Sequence, residues 1–484
     1  MNIKSQILNL STTTGWKNLS KSFLFVLLFL SSIVSFSQTI NITGKADGQA
    51  DELVRLIVYA DQFSHRYKTL ATTRTDSHGN FEINLKIEKT DYAFLAVGLK
   101  KGEFYLKPGA KYNFNIIKDT STRQRSVFDE LPLQFTMTAT DAGLNRNIGD
   151  YNEMYNQFIY RNATRIYKGR SKQLITDFET RAKMQFGKTN DDYFINYMQS
   201  SFASLEWIGL KNKQQILSTY IANKPVLYNN IQYTDFFGEF MKAYLSSTNY
   251  FDYREVVETI QSANALKRID EMLKRDSILA KDQQLRALST LLILARKSHS
   301  PDLPKGRVAE LIKEIQQKSP DKMIREIAGN YYEKLQKLES GTAAPSFELT
   351  DAKGDTVRLK QFEGKFSLLS FIRPDCRVCL LQLEDLSKLQ EKHKTRLQNI
   401  TIVYGPNYPE VIRFADSRLY DWPFLNLKKD ILLLEQYEIK TYPTYAIINP
   451  DGTIAMIPTP MPDESLELYL IRIMVRYDNN HPKK

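Results

Sequence analysis

Cysteine is nearly absent: 484 residues carry two, Cys376 and Cys379. The chain can close one disulfide of its own and no more, although proteins of oxidising compartments are free to use many. Histidine is almost as scarce, with five residues. Neither His65 nor His78 has a second ligand at metal spacing, so both read as solvent-facing loop residues and no metal site is expected. Two thiolates without a nearby His or Met pair also make an incomplete site for a metal chaperone. No basic block of the kind that tracks nucleic acid occurs, despite a formal net charge of +11, so no nucleic acid partner is expected. There is no low-complexity tract and no repeat of fixed period. Nor is there an apolar run of the about 20 residues that spanning a bilayer requires.

What is present is the composition of an ordinary folded chain, 42% hydrophobic and 25% charged, at a length that suggests about three domains. The first 37 residues have only Lys4, Lys17 and Lys21 as charges, and these precede the unbroken apolar run Phe23 to Leu30. This is the pattern of a secretory signal, and Ser35-Phe36-Ser37 offers a small-x-small site before Gln38. Residues 1–37 are therefore expected to be a signal peptide cleaved after Ser37, which places the protein in the periplasm. An uncleaved N-terminal membrane anchor is the alternative. No cysteine stands near that site, so a lipoprotein anchor is excluded. Loss of the three lysines lowers the formal charge from +11 to +8, with both signs mixed along the remainder.

The fold class expected is multidomain. Residues 38–120 hold strand-like runs at Thr39–Thr43, Leu53–Tyr59, Tyr67–Thr75, Phe81–Ile87, Tyr92–Val97, Gly102–Leu106 and Tyr112–Ile117. Turn signals at Asp76-Ser77-His78-Gly79-Asn80 and Pro108-Gly109 separate them. Short strands at this spacing suggest a small antiparallel β-sandwich. It resembles the carboxypeptidase-regulatory-like modules. Residues 140–339 turn helical, with amphipathic stretches at 174–186, 192–210, 264–273, 284–294, 306–315 and 321–338. Its aromatics, among them Tyr151, Tyr155, Phe158, Tyr160, Tyr193, Phe194, Tyr197, Phe202 and Trp207, are spaced for helix packing. Asp191-Asp192 should begin a helix, where the dipole favours carboxylates. Ser340-Gly341 is read as the linker into a C-terminal domain.

The two cysteines stand in Phe371-Ile372-Arg373-Pro374-Asp375-Cys376-Arg377-Val378-Cys379. Before them, Lys365 to Ile372 is an apolar run of strand length; after them, Leu380 to Lys392 has helical apolar spacing. A dithiol between a buried strand and the first turn of a helix meets unpaired backbone N–H groups and the helix dipole, both of which stabilise a thiolate. The thiolate is the attacking species in disulfide exchange. By the same geometry Cys376 is the exposed attacking thiol and Cys379, a turn inside, the resolving one.

Around this pair, Gly341-Thr342-Ala343-Ala344-Pro345-Ser346-Phe347 leads into Asp351-Ala352-Lys353-Gly354-Asp355 and Val357-Arg358-Leu359. Further on, Thr441-Tyr442-Pro443-Thr444-Tyr445 leads to Asp451-Gly452-Thr453-Ile454. In this order the three pieces resemble the TlpA/ResA-type thioredoxin-fold thiol-disulfide oxidoreductases, within the wider AhpC/TSA-Redoxin-like superfamily, over residues 341–478. The resemblance implies a C-terminal α/β thioredoxin fold and a redox-active Cys376–Cys379 disulfide with no other cofactor. It implies a cis Pro443 that presents the Tyr442 backbone to an extended substrate strand. Implied partners are exported protein thiols and disulfides, with a membrane electron donor of the DsbD/CcdA type.

This sequence departs from that family. Asp375 replaces the usual Trp, and Arg377-Val378 replaces Gly-Pro between the cysteines. Arg377 should favour the thiolate and Asp375 oppose it. Ser370 aligns with the buried Asp of thioredoxins and Gln382 with the Glu of ResA-like proteins, so both usual proton acceptors are missing. Glu384 is near in sequence but points to another side of the helix. The resolving proton then passes to water, or exchange is slow, or the redox activity is weak. The leading reading is an exported thiol-disulfide oxidoreductase, a reductant or isomerase. The alternative is a binding or scaffold protein whose thioredoxin-like domain carries a static disulfide. A peroxidase fits poorly, since Arg373 stands where peroxiredoxins place Thr or Ser.

Overall fold

The structure, a computed structural model, describes residues 38–117, 132–246, 252–298, 300–304, 306–427 and 430–482. The signal peptide expected at 1–37 lies outside the described residues. Among the described residues no helix is long and apolar enough to cross a membrane.

The N-terminal region folds as β1 (Gln38–Ala46), β2 (Leu53–Tyr59), β3 (Tyr67–Arg74), β4 (Asn80–Ile87), β5 (Asp91–Val97), β6 (Lys100–Leu106), β7 (Lys111–Ile116) and β8 (Phe135–Ala139). They form two four-stranded sheets, in the orders β4-β1-β7-β8 and β3-β2-β5-β6. Alternation drives this: Phe81 and Ile83 are buried while Glu82 and Asn84 face solvent. The inward residues of both sheets, such as Ile40, Phe81 and Phe114 from one and Leu56, Leu95 and Phe104 from the other, share one apolar core.

Two features depart from the sequence reading. The region is not wholly antiparallel, because β1 and β7 pair in parallel. After β6 the chain turns at Pro108-Gly109, where Gly109 has φ 76°. It leaves one sheet for the other there and arrives beside β1 running the same way. The second feature is β8, which the sequence reading did not identify; it pairs antiparallel with β7. Its ring Phe135 lies against Gly102, where a Cβ would come within 2.3 Å of Phe135 Cε1. Only glycine admits that contact.

The middle of the chain is helical, as its periodicity predicts: α1 (Leu144–Tyr167), α2 (Lys172–Phe186), α3 (Asp192–Ile208), α4 (Ile231–Ser246), α5 (Tyr253–Gln261), α6 (Ala265–Leu273), α7 (Gln283–Lys297), α8 (Arg307–Lys318) and α9 (Lys322–Gln336), with a π turn at Leu217–Ile221. The carboxylates of Asp191, Asp252, Asp282 and Asp321 cap α3, α5, α7 and α9 by accepting backbone N–H groups of the first turn. Such caps stabilise by about 1 kcal/mol each. Tyr151, Phe158, Phe194, Tyr197 and Phe202 are buried in one cluster, and Trp207 packs against another. Tyr160 is the exception to the packing expected of these aromatics, at 88% exposed.

The C-terminal region is a seven-stranded mixed sheet of β9 (Glu348–Thr350), β10 (Thr356–Arg358), β11 (Phe366–Ile372), β12 (Leu397–Val403), β13 (Phe424–Asn426), β14 (Thr444–Ile448) and β15 (Ile454–Met456), in the order β10-β9-β13-β12-β11-β14-β15. Its helices are α10 (Arg377–His393), α11 (Tyr408–Ser417), α12 (Leu432–Gln436) and α13 (Leu466–Asn480). All seven residues of β11 are buried, as a central strand covered on both faces requires. Phe366, Leu368 and Ile372 pack with α10, α11 and α13 on one face. Leu369 and Phe371 pack with α12 on the other. The segment read as a linker is tied to this sheet, since Gly341 donates its N–H to the Ile454 carbonyl at 2.8 Å.

Candidate functional site

The central strand β11 delivers the dithiol. Past Ile372 the chain leaves the sheet through Arg373-Pro374-Asp375, and Cys376 becomes the N-cap of α10, with Sγ accepting the Cys379 N–H at 3.1 Å. Cys376 is half-buried and Cys379 fully buried. The two are joined as a disulfide with Cα atoms 5.2 Å apart. The order read from sequence, an accessible first sulfur and a covered second one, is the order in space.

Across from the dithiol, the Tyr442–Pro443 peptide bond is cis. Pro443 is buried, and the Tyr442 carbonyl oxygen lies 3.8 Å from Cys376 Sγ. Residues 441 to 443 thus face the disulfide and precede β14, which pairs antiparallel with β11.

The charges divide differently from the sequence expectation. Asp375 is gripped at both oxygens by Arg373, Nε to Oδ1 at 2.8 Å and Nη2 to Oδ2 at 2.6 Å. That hydrogen-bonded pair holds the Asp375 carboxyl below its usual range and pushes the Arg373 guanidinium up. The negative charge read as opposing the thiolate is therefore matched, while Arg377 and Val378 are exposed on the first turn. Arg373 also lies 5.9 Å from the Tyr442 ring centroid, and Tyr404 stacks on Tyr442 at 6.4 Å. Sequence reading missed Arg373 and Tyr404 as parts of the site. The i, i+2 spacing of Arg373 and Asp375 carried a signal, whereas Tyr404 reaches the site only through β12.

The two positions without acids are both buried. Ser370 Oγ lies 2.9 Å from Thr401 Oγ1, which accepts the Trp422 indole N–H at 2.9 Å. This is a neutral chain of satisfied polar groups where the family resemblance implies a carboxylate. Gln382, one turn past Cys379 on the buried face of α10, accepts the Tyr445 O–H at 2.6 Å through Oε1. Its Nε2 donates to Asp463 Oδ1 at 2.9 Å and lies 3.4 Å from Met461 Sδ. An acid therefore stands behind Gln382 after all. It comes from the loop between β15 and α13, far along the chain, and no local pattern announces it. Glu384 points away, 3.1 Å from Lys388. Among the described residues no group of three or more His, Cys, Asp or Glu is placed to hold a metal.

Residues 340–457 match the AhpC/TSA family. Thiol-disulfide oxidoreductase ResA of Bacillus cereus is 29% identical over 145 residues, which are 30% of this chain and 83% of that protein. ResA of Halalkalibacterium halodurans is 29% identical over 132 residues, 27% of this chain and 74% of that protein. The thioredoxin-like protein YneN of Bacillus subtilis is 28% identical over 127 residues, 26% of this chain and 74% of that protein. Among solved structures, the thioredoxin domain of a Bacteroides vulgatus thiol-disulfide oxidoreductase is 24% identical, covering 28% of this chain and 96% of that one with a TM-score of 0.26. A thioredoxin-like protein from Bacteroides caccae is 17% identical, covering 49% of this chain and 93% of that one with a TM-score of 0.30.

Proposed function

The C-terminal domain is a thioredoxin fold of the TlpA/ResA type, and on that premise we propose that the chain is an exported thiol-disulfide oxidoreductase acting on periplasmic proteins. One observation carries the reading: a half-buried Cys376 sulfur at a helix N-terminus, 3.8 Å from the carbonyl of the residue before a cis proline, with its partner cysteine buried behind it. In the reduced protein the first-turn N–H groups and the dipole of α10 favour the Cys376 thiolate. It attacks one sulfur of a partner disulfide; the S–S bond breaks, the other partner sulfur leaves as a thiolate and takes a proton, and a mixed disulfide forms. Cys379 then loses its proton and attacks Cys376 Sγ, expelling the second partner thiol. The partner gains two electrons and the chain returns to the Cys376–Cys379 disulfide. Tyr442 lends its backbone to the partner strand, and Arg377 and Val378 set the environment of the sulfurs. A thiol donor at the membrane, of the DsbD/CcdA type, would restore the dithiol. Residues 1–37 serve as the export signal in this reading.

The reduction potential of the pair tests it in a glutathione series. Catalytic pairs span about −120 to −270 mV, and a value below roughly −300 mV would identify a static bond and favour a binding or scaffold role.

The charge pairing at the rim makes a separate prediction. Arg373→Ala releases the Asp375 carboxylate next to Cys376, and an unmatched negative charge disfavours the thiolate. Alkylation of the reduced protein by iodoacetamide at pH 7 is expected to slow about three- to tenfold. An Arg373→Ala protein that reacts at the parental rate would show that Asp375 has no bearing on the sulfur.

A further inference from the structure

The N-terminal β region grips the C-terminal domain at α12. Arg55, on β2, is 3% exposed and reaches Glu435 of α12 with two hydrogen bonds, Nη1 to Oε2 at 2.7 Å and Nη2 to Oε1 at 2.9 Å. Its Nη2 also donates to the Gly98 carbonyl at 3.2 Å, so the guanidinium is fixed from both sides. Lys101, on β6, adds a second cation 3.6 Å from Glu435 Oε1. From the segment after α9, Lys337 donates to the Glu435 carbonyl at 3.0 Å and lies 3.0 Å from Glu438. Burial alone would push the Glu435 carboxyl up, yet Arg55 and Lys101 hold it below its usual range. Leu99 and Leu338 pack on the apolar cluster that contains Leu434 and Tyr437 of this same segment.

Three cations from outside the domain thus converge on a five-residue helix. Burying charge is an expensive way to join two domains, since apolar contacts do it without desolvation cost; a bidentate charged pair adds a fixed orientation. What it orients is the approach to the site. From α12 the chain runs through Tyr437, whose ring lies 5.2 Å from Phe371 of the dithiol strand, and through Ile439, tied back to the Leu434 carbonyl at 2.8 Å. It then enters Tyr442–Pro443. The charge of Glu52, just before β2, also acts on this corner. Burial pushes the Tyr404 phenol up, Arg373 pulls it down, and Glu52 pushes it up again, and Tyr404 is the ring stacked on Tyr442.

We propose that Arg55 is a positioning residue for the substrate-facing Tyr442–Pro443 segment, so that the N-terminal β region forms part of the apparatus that binds an extended, disulfide-bearing partner polypeptide. The proposal rests on the oxidoreductase reading for its substrate and on the Arg55–Glu435 contact for its mechanism. Anchoring at Glu435 sets the distance between the Tyr442 carbonyl and Cys376, which a partner strand must match on pairing with this segment.

The test uses the full chain and Arg55→Ala, with insulin as the polypeptide disulfide, oxidised glutathione as the small one, and backbone amide exchange as a readout independent of activity. Losing a charge-assisted hydrogen bond that orients a binding segment is expected to raise KM for insulin about tenfold, with kcat within about twofold. Amide exchange across 437–442 is expected to quicken about tenfold while β11 keeps its parental rates. Arg55→Lys, which keeps the cation but not the bidentate fork, should recover part of both effects. Parental KM and parental amide exchange in a folded Arg55→Ala protein overturn the proposal. So does an equal loss in KM and kcat with faster exchange through the whole C-terminal sheet, which marks a merely structural contact. If Arg55→Ala does not fold, Glu435→Gln removes the charge while keeping the shape and carries the same measurements. A parent that reduces neither glutathione disulfide nor insulin fails the oxidoreductase reading, and faster exchange confined to 437–442 would still uphold the anchoring.

Discussion

Cys376→Ser is expected to lose insulin reduction by on the order of 10³ or more, and Cys379→Ser to arrest the reaction as a stable mixed disulfide. The asymmetry follows from exposure. Cys379 is fully buried, behind the N-cap sulfur that lies nearest the Tyr442 carbonyl, so a partner disulfide meets Cys376 first. Without Cys379 nothing within the chain can attack the intermediate, because the sequence has no third cysteine. Non-reducing electrophoresis of extracts exposed to each variant reads the outcome directly: adducts with Cys379→Ser and none with Cys376→Ser. The same geometry requires alkylation after mild reduction to label Cys376 much faster than Cys379. Equal labelling, or protection of both, together with no adducts from either variant, would sink the exchange mechanism and leave a static bond.

That much was legible because it is local. The apolar run of β11, the C-x-x-C and the helical spacing after it lie within one stretch of chain, and their burial follows from period and length. The cis proline was legible from its neighbours through the family resemblance. What the sequence hid was set by contacts between distant segments. Arg373 neutralises Asp375, and once paired, the replacement of Trp by Asp no longer places an unmatched charge on the site. Asp463 supplies a carboxylate behind Gln382 from a loop that no spacing rule connects to α10. The parallel pairing of β1 with β7 depends on where the chain changes sheets, and period-two alternation is blind to strand direction. The edge strand β8 alternates only between half-buried and exposed positions, a weaker signal than the buried-to-exposed alternation of a strand with one face in the core.

The hydrogen bonds of Gln382 decide what restoring an acid there would do. Gln382→Glu keeps the Tyr445 O–H donor but removes the N–H that satisfies Asp463, leaving two carboxyl groups where the native pair is 2.9 Å apart. Burial of the new glutamate and, more weakly because Asp463 is exposed, like charge disfavour ionising the second of them, so the pair takes its upper proton off above the usual carboxylate range. The sign for stability is set by that shift: a carboxyl whose folded pKa is raised above its unfolded value of about 4.3 binds more protons folded than unfolded. Relative to the parent, the variant is expected to be most stable in acid and to lose stability as pH climbs from about 4.3 to that upper value, by about 1–3 kcal/mol in all. Catalysis runs the other way. A base one turn past Cys379 can take the resolving proton only once it is ionised, so the rate of insulin reduction should gain a step at the pH where the stability loss levels off, reaching about tenfold over the parent. Adding Asp463→Asn removes the like charge and should move both the step and the stability loss towards lower pH. Urea melts and rates measured between pH 4 and 8 on the single and double variants resolve this. A step that stays put when Asp463 is neutralised would rule out the pairing, and a folded Gln382→Glu protein no faster than the parent at any pH would show that proton transfer from Cys379 does not limit the reaction.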